Sequence, residues 1–140
     1  MAVIKSYTSL EQSLKLAEIL PIESADACWT NHLFDCFLSS WRVESTPPQE
    51  YKCLLDRFVV SGYLIEPAWS PIALLSVIPQ EIFDGEYILN ITEGKKYRWI
   101  ITYDCYEDRT KSYYGLSSGA DNLIDACYEM VLKLYERKML

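Results

Sequence analysis

Two stretches in the second half of the chain place an apolar side chain at every second position, and this alternation constrains the fold most strongly. The stretches are residues 86–92 and 97–105, and the segment 93–95, which contains a glycine, separates them. A period of two is typical of strands that bury one face. A charged turn at 107–109 then precedes another apolar run at 112–116. The sequence therefore predicts an antiparallel β-meander of three strands.

A short amphipathic helix is predicted near the N-terminus. Residues 8–11 have the form of a capping box, and Pro21 ends the apolar pattern that follows. The helical spacing places Leu10, Leu14 and Ala17 on the buried face.

A second, almost wholly apolar helix is predicted between Ser70 and Pro79, with Pro71 in its first turn. Because it has no polar face, we expect it to lie at the centre of the core. Residues 117–121 are predicted as a loop before a closing helix, which Asn122 caps. The closing helix has one apolar stripe, formed by Leu123, Cys127, Met130, Val131 and Leu134.

The segment 24–65 gives an ambiguous pattern. Apolar and aromatic side chains between Trp29 and Trp41 fit helical spacing, and the pair Pro47-Pro48 breaks whatever precedes it. The run 51–65 is rich in strand-forming residues.

Length and composition bound the architecture. The chain has 140 residues, half of them apolar, with 11 Tyr, 4 Trp and 4 Phe. This size and hydrophobicity favour one core and exclude a disordered chain. We therefore predict a single α+β domain over residues 1–140, with the antiparallel meander packed against the N-terminal, central and C-terminal helices.

Charge and cysteine content predict a cytoplasmic protein that binds neither nucleic acid nor membrane. The net charge is −7, and no Lys or Arg lies between Arg57 and Lys95, so this part of the chain should repel phosphates. No signal-peptide core occurs near the N-terminus, and the longest apolar stretch, 67–79, is too short to cross a bilayer. Five cysteines without a secretion signal favour reduced thiols.

The sharpest local candidate for chemistry is a cysteine-histidine pattern. Cys28, His32 and Cys36 follow one another at intervals of four, and on a helix residues four apart share a face. Thiolate and imidazole are ligands that zinc prefers. The alternative, which we favour, is that both cysteines are small core residues beside a half-exposed histidine.

Two acidic sets are further candidates for hard-cation or acid-base chemistry. Asp84 with Glu93 and Lys95 has the residue types of a magnesium-dependent nuclease site. The carboxylates Asp104, Glu107 and Asp108 cluster near a predicted turn. The alternative for both sets is that their charges are simply solvated at turns, and we favour that interpretation.

Three aromatic side chains are candidates for contact with a partner protein. Trp69, Tyr113 and Tyr114 could present large rings at low entropic cost, although packing in the core is the alternative for each. No glycine-rich phosphate loop, CxxC pair or nucleophile elbow occurs in the sequence, so no cofactor and no catalytic residue are predicted.

Four blocks of the sequence resemble a family of small proteins encoded by gut anaerobes, often within phage-like or mobile elements. The blocks are 5–13 (KSYTSLEQS), 20–26 (LPIESAD), 69–79 and the closing helix from 122, and together they cover about half of the chain. Ala68, directly before the third block, and Pro71 within it stand where the family pattern has cysteine and leucine. The resemblance implies a phage-like context and no particular activity.

These observations favour a non-enzymatic binding or accessory protein that acts by contact with another protein. An acidic, aromatic-rich chain without an assembled acid-base set suits such contact better than catalysis. A small zinc or magnesium enzyme and an acidic mimic of nucleic acid are the alternatives.

Overall fold

The computed structural model describes residues 5–32, 41–48 and 63–140. Two compact units make up the chain. The N-terminal unit is Tyr7–Ala73, and the C-terminal unit combines Met1–Ser6 with Leu74–Leu140. That both units form one domain stays a prediction.

The N-terminal unit contains a helix followed by a three-stranded antiparallel sheet. Its elements are α1 (Leu10–Ala17), a 3₁₀ turn (Ile22–Ser24), β1 (Ala27–His32), β2 (Arg42–Glu44) and β3 (Tyr63–Ala68). The strand order is β2-β1-β3, and β1 pairs along its whole length with β3, for example Trp29 with Glu66. Helix α1 contacts β3. Helix α2 (Pro71–Val77) then crosses from this unit into the next.

The helical interpretation of the segment after Trp29 is wrong for its described part. Residues 27–32 form β1, because six consecutive backbone pairs with β3 satisfy their amides and carbonyls. Those partners lie more than thirty residues away in sequence, so local spacing could not reveal them. The rest of the predicted helix, 33–40, and residues 51–62 of the predicted strand lie outside the described residues. Residues 63–65, the described end of the predicted strand, lie in β3, which continues to Ala68.

Helix α1 begins one residue later than predicted and buries a different face. Ser9 is the N-cap and Gln12 completes the capping box, so Thr8 lies outside the helix. The buried side chains are Ser13 and Leu16, whereas Leu14 is half exposed. The face that contains Ser13 is buried because the Ser13 hydroxyl forms a hydrogen bond of 2.7 Å with the Thr8 hydroxyl in the interior.

Helix α2 has Pro71 in its first turn, as predicted, but it is not buried all round. Ala73, Leu74 and Ile78 lie in the interior, whereas Ile72 is 76% exposed. One side of the helix faces solvent in spite of its apolar composition, so the prediction that it lies at the centre of the core is wrong for that side.

The C-terminal unit is a four-stranded antiparallel meander with one helix. Its elements are β4 (Glu81–Ile82), β5 (Tyr87–Thr92), β6 (Trp99–Cys105), β7 (Ser112–Ala120) and α3 (Leu123–Glu136). The strand order β4-β5-β6-β7 follows the sequence, with Leu89 opposite Tyr103 and Ile91 opposite Ile101. Helix α3 contacts β6 and β7. The α+β class and the predicted meander are therefore confirmed.

Strand β7 continues through the segment predicted as a loop. Ser117 pairs with Thr102 and Ser118 with Ile101, and the Ser118 hydroxyl donates to the carbonyl oxygen of Ala126 at 2.8 Å. Serine and glycine are weak strand formers, so only this tertiary pairing makes 117–120 a strand.

Helix α3 confirms the strongest helical prediction. Asn122 is the N-cap, and its side-chain oxygen accepts from the Asp125 amide at 2.9 Å. Four residues of the predicted stripe are buried, namely Cys127, Met130, Val131 and Leu134. In the first turn the buried side chain is that of Ile124 instead of the predicted Leu123. Among the described residues, no helix is long and apolar enough to cross a membrane.

Candidate functional site

Two turns meet at one end of the four-stranded sheet and form the candidate site. The β4–β5 turn is 83–86 and the β6–β7 turn is 106–111, and we call the surface that they form together the turn end. The Tyr106 amide donates to the Glu86 carbonyl oxygen at 2.8 Å, which ties the two turns together. Tyr87 pairs with Cys105 directly behind this bond.

The first turn is held in a left-handed backbone conformation. Phe83, Asp84 and Gly85 have φ angles of 52°, 56° and 87°. Such a φ is free of cost for glycine and tolerable for aspartate, but for a bulky residue such as phenylalanine it costs about 1–2 kcal/mol. The turn closes with a hydrogen bond from the Glu86 amide to the Phe83 carbonyl oxygen at 3.2 Å. The position of the Phe83 ring at the turn end is therefore accompanied by strain in its backbone φ angle.

The second turn is built around an aspartate. The carboxylate of Asp108 accepts from the Thr110 hydroxyl at 2.6 Å and from the Thr110 amide at 3.1 Å. These bonds hold the pKa of Asp108 below its usual value. Asp108 is thus occupied in shaping the turn.

Aromatic rings cover the side of the turn end that faces β7. The ring centroids of Phe83 and Tyr87 lie 5.1 and 5.2 Å from that of Tyr113, at tilted or edge-on angles. The guanidinium of Arg137, from the end of α3, lies 5.9 Å from the same Tyr113 ring. These contacts anchor Tyr113 between neighbours, so it is half-buried and serves to support the surface.

Other aromatic rings at the turn end are open to solvent. Phe83 is 49% exposed, Tyr106 is 64% exposed and Tyr114, on β7 beside Tyr113, is 95% exposed. The guanidinium of Arg109 lies 5.9 Å from the Tyr106 ring. The turn end therefore presents a large apolar area on aromatic side chains. Because these side chains have few rotatable bonds, little conformational entropy is lost when a partner covers them.

An open groove of about 340 Å³ lies between the two turns. Its walls are Phe83 and Tyr106 on the aromatic side, the Cys105 strand end, and the carboxylates of Asp84, Glu86 and Glu107. Within the described residues, no Lys or Arg lies within 4.0 Å of these three carboxylates. The groove thus combines aromatic walls with uncompensated negative charge.

The structure separates the predicted acidic sets. Asp84 precedes β5 and Glu93 follows it, and the length of the strand puts them about 17 Å apart or more. Asp104 is buried, and its carboxylate accepts from Asn90, Thr102 and Ser112 at 2.7–2.8 Å. It is therefore a structural acceptor, whereas Glu107 lines the groove. In both predicted sets the carboxylates do not converge.

The cysteine-histidine pattern lies on a strand. Cys28 and His32 are four positions apart in β1, about 13 Å along an extended backbone, and the shared helical face is lost. Burial, together with the charge of Glu44, raises the pKa of Cys28 to about 11, which disfavours the thiolate that zinc binds. Cys36 lies outside the described residues, so the zinc site stays a prediction. Over 5–32, 41–48 and 63–140 no three His, Cys, Asp or Glu side chains form a metal-binding group.

Of the predicted contact residues, Trp69 is the one that the structure contradicts. Its side chain is fully buried and its indole Nε1 donates to the Ser24 hydroxyl at 2.9 Å, so no surface is left for a partner. Tyr114 is exposed, as contact requires, whereas Tyr113 is half-buried in the ring cluster with Phe83 and Tyr87. Phe83 and Tyr106 were missed, although the turn-forming pair Asp84-Gly85 directly after Phe83 was a signal for them.

No family model, curated protein or solved structure matches this chain. The candidate site at the turn end is therefore supported by the geometry of this structure alone.

Proposed function

We propose that the chain is a non-enzymatic binding protein that acts in the cytoplasm by contacting another protein through the turn end. The observation that carries the proposal is the pair of exposed aromatic rings there, Phe83 and Tyr106, with the almost fully exposed Tyr114 following the second turn as the third residue of β7. Exposed tyrosines on a rigid support are typical of contact surfaces, because their rings bury large area and have few rotatable bonds.

The arrangement of the remaining chemistry supports binding over catalysis. Two of the carboxylates that were candidates for chemistry are engaged in the fold: Asp104 accepts side-chain hydrogen bonds in the interior, and Asp108 shapes a turn. The thiols of Cys28 and Cys127 are buried and their pKa values are raised by burial, to about 11 and about 12. These groups are protonated and shielded, which suits a structural role.

The setting of the proposed function follows from two further points. The described cysteines Cys28, Cys105 and Cys127 are free thiols, in keeping with a reducing compartment. The resemblance to proteins of phage-like elements fits an accessory factor that works on a host or phage protein.

The test is affinity capture from the cytoplasm of the native host with three tagged forms of the chain. We expect the wild type to retain a reproducible partner, which Tyr106→Ser/Tyr114→Ser loses. Tyr97→Ser is the matched control, because Tyr97 is 39% exposed and lies just before the start of β6, at the opposite end of the sheet from the turn end. Loss of the partner with the control variant, or its retention with the double variant, contradicts the proposal.

A further inference from the structure

We infer that the groove of the turn end takes an arginine side chain from a flexible segment of the partner. This inference rests on the proposed function and names the chemistry of the partner. The groove is negatively charged, it is large enough for one long side chain, and aromatic rings of this unit already contact guanidinium groups.

The charge of the groove selects a cation. Asp84, Glu86 and Glu107 line it without a Lys or Arg partner among the described side chains within 4.0 Å. Of the basic side chains of the second turn, Lys111 lies 3.9 Å from Asp108, and Arg109 lies 5.9 Å from the Tyr106 ring without an ion pair to the three carboxylates. The chain as a whole carries a net charge of −7, which adds long-range attraction for a basic partner.

The size and openness of the groove suit a single long side chain. A volume of about 340 Å³ that is open to solvent lies at the lower bound of small-molecule pockets, which enclose most of their ligand. A long side chain with an apolar stem and a charged head fits such a groove, since the stem can lie along Phe83 and Tyr106 while the head reaches the carboxylates.

The aromatic walls favour arginine over lysine. Arg109 over Tyr106 and Arg137 over Tyr113, each at 5.9 Å, show that rings of this unit are accessible to planar guanidinium groups. Guanidinium stacks on aromatic faces, is weakly hydrated and binds carboxylates through two parallel hydrogen bonds, whereas ammonium does none of these equally well. An arginine in the groove would use both of its walls at once.

The experiment titrates the full chain with the peptide acetyl-Gly-Arg-Gly-Arg-Gly-amide and follows backbone amide NMR signals. We expect shifts concentrated in 83–86 and 105–107, and no binding of the analogue in which neutral citrulline replaces arginine. A lysine peptide should bind more weakly. Equal binding of the citrulline or lysine peptide would overturn the inference.

The variants separate the groove from general electrostatic attraction. Asp84→Asn/Glu107→Gln should weaken the arginine peptide about tenfold, and asparagine is compatible with the left-handed φ at position 84. Glu11→Gln/Glu23→Gln removes the same charge from exposed sites of the N-terminal unit and should leave the affinity unchanged. Equal weakening by both pairs, or by neither, contradicts the groove as the site.

An aromatic variant tests the other wall. Tyr106→Leu keeps apolar area but removes the ring, and we expect about threefold weaker binding of the arginine peptide. If the peptide fails to bind while the tyrosine-dependent partner of the capture experiment is retained, the proposed function stands and only the arginine assignment is wrong.

Discussion

The surroundings of Trp69 and the turn end are both rich in aromatic side chains, but they use them in opposite ways. Near Trp69 every indole N–H has a partner: Trp69 donates to the Ser24 hydroxyl and Trp29 to the Thr8 carbonyl oxygen at 3.0 Å. At the turn end, Phe83 and Tyr114 are left half or almost fully exposed. The first region satisfies its polar groups internally, and the second leaves its rings exposed to solvent.

This difference in ring burial predicts which side chains contribute to stability and which are available for binding. A buried ring with satisfied hydrogen bonds contributes to folding, whereas an exposed ring contributes little to folding and much to binding. Substitutions in the two regions should therefore have effects on stability that differ several-fold.

The largest effect is expected for Trp69→Ala. It removes a fully buried indole and leaves a cavity, which should lower the free energy of unfolding by about 3–5 kcal/mol. Urea denaturation followed by circular dichroism measures the change. If the free energy of unfolding falls by less than about 1 kcal/mol, the side chain of Trp69 is not tightly packed, and the contrast with the turn end is wrong.

Thr8→Val should have the next largest effect. The Thr8 hydroxyl accepts from the Trp69 amide at 3.1 Å and hydrogen-bonds Ser13, and valine keeps its shape but leaves both groups unpaired in the interior. We expect a loss of about 1–3 kcal/mol.

Two controls separate the hydroxyl of Thr8 from other causes. Thr8→Ser restores the hydroxyl and should recover most of the loss. Thr92→Val changes an exposed threonine at the end of β5 and should stay within about 0.5 kcal/mol of the wild type. If Thr8→Ser is as unstable as Thr8→Val, the hydrogen bonds are not the cause.

Tyr103→Phe tests a buried tyrosine in the same unit as the turn end. The Tyr103 hydroxyl donates to the Pro79 carbonyl oxygen at 2.6 Å, so near pH 8 its removal should cost about 1 kcal/mol. Burial raises the pKa of Tyr103 to about 12, compared with about 10 in an unfolded chain.

The sign of the pH dependence follows from this raised pKa. Above about pH 10 the unfolded state loses the Tyr103 proton while the folded state keeps it, so wild-type stability falls as the pH rises toward 12. The phenylalanine variant lacks this loss, and the stability difference between the two proteins should shrink with rising pH. A difference that stays constant from pH 8 to 11.5 contradicts a buried, protonated Tyr103.

Local patterns were sufficient for β5, β6 and α3 of the C-terminal unit because these elements follow one another in sequence. The alternation at 86–105 and the Asn122 cap predicted β5, β6 and α3, each of which is stabilised by neighbours in the chain. In contrast, β1 depends on pairing with β3 across a long gap, and 117–120 become a strand only because β6 lies beside them. Such contacts are invisible to a reading of local spacing.

The candidate site was predicted less completely than the fold. Tyr113 and Tyr114 were found as aromatic side chains, but the same argument wrongly selected Trp69, because composition does not tell which ring the core takes. The carboxylates of the first acidic set are far apart for a related reason: Asp84 and Glu93 are close in sequence but lie at opposite ends of one strand. The groove forms from two turns that only strand pairing brings together.

Phe83→Gly and Phe83→Ala together measure the strain at the turn end. Both remove the half-exposed ring, but only glycine adopts a φ of 52° without cost, so the glycine variant should be more stable than the alanine variant by about 1 kcal/mol. Thermal unfolding of the pair gives the difference directly. An alanine variant that matches or exceeds the glycine variant contradicts a left-handed backbone at this position.

Tyr114→Ala should have the smallest effect on stability. With 95% of its side chain exposed, Tyr114 makes almost no contact that unfolding would lose, and we expect a change within about 0.5 kcal/mol. The same substitution should nevertheless abolish or weaken the capture of the partner protein, because an exposed ring acts only when a second surface covers it. A loss of stability comparable to that of Trp69→Ala would show that Tyr114 is packed, and the contrast between the two regions would then fail at its most exposed residue.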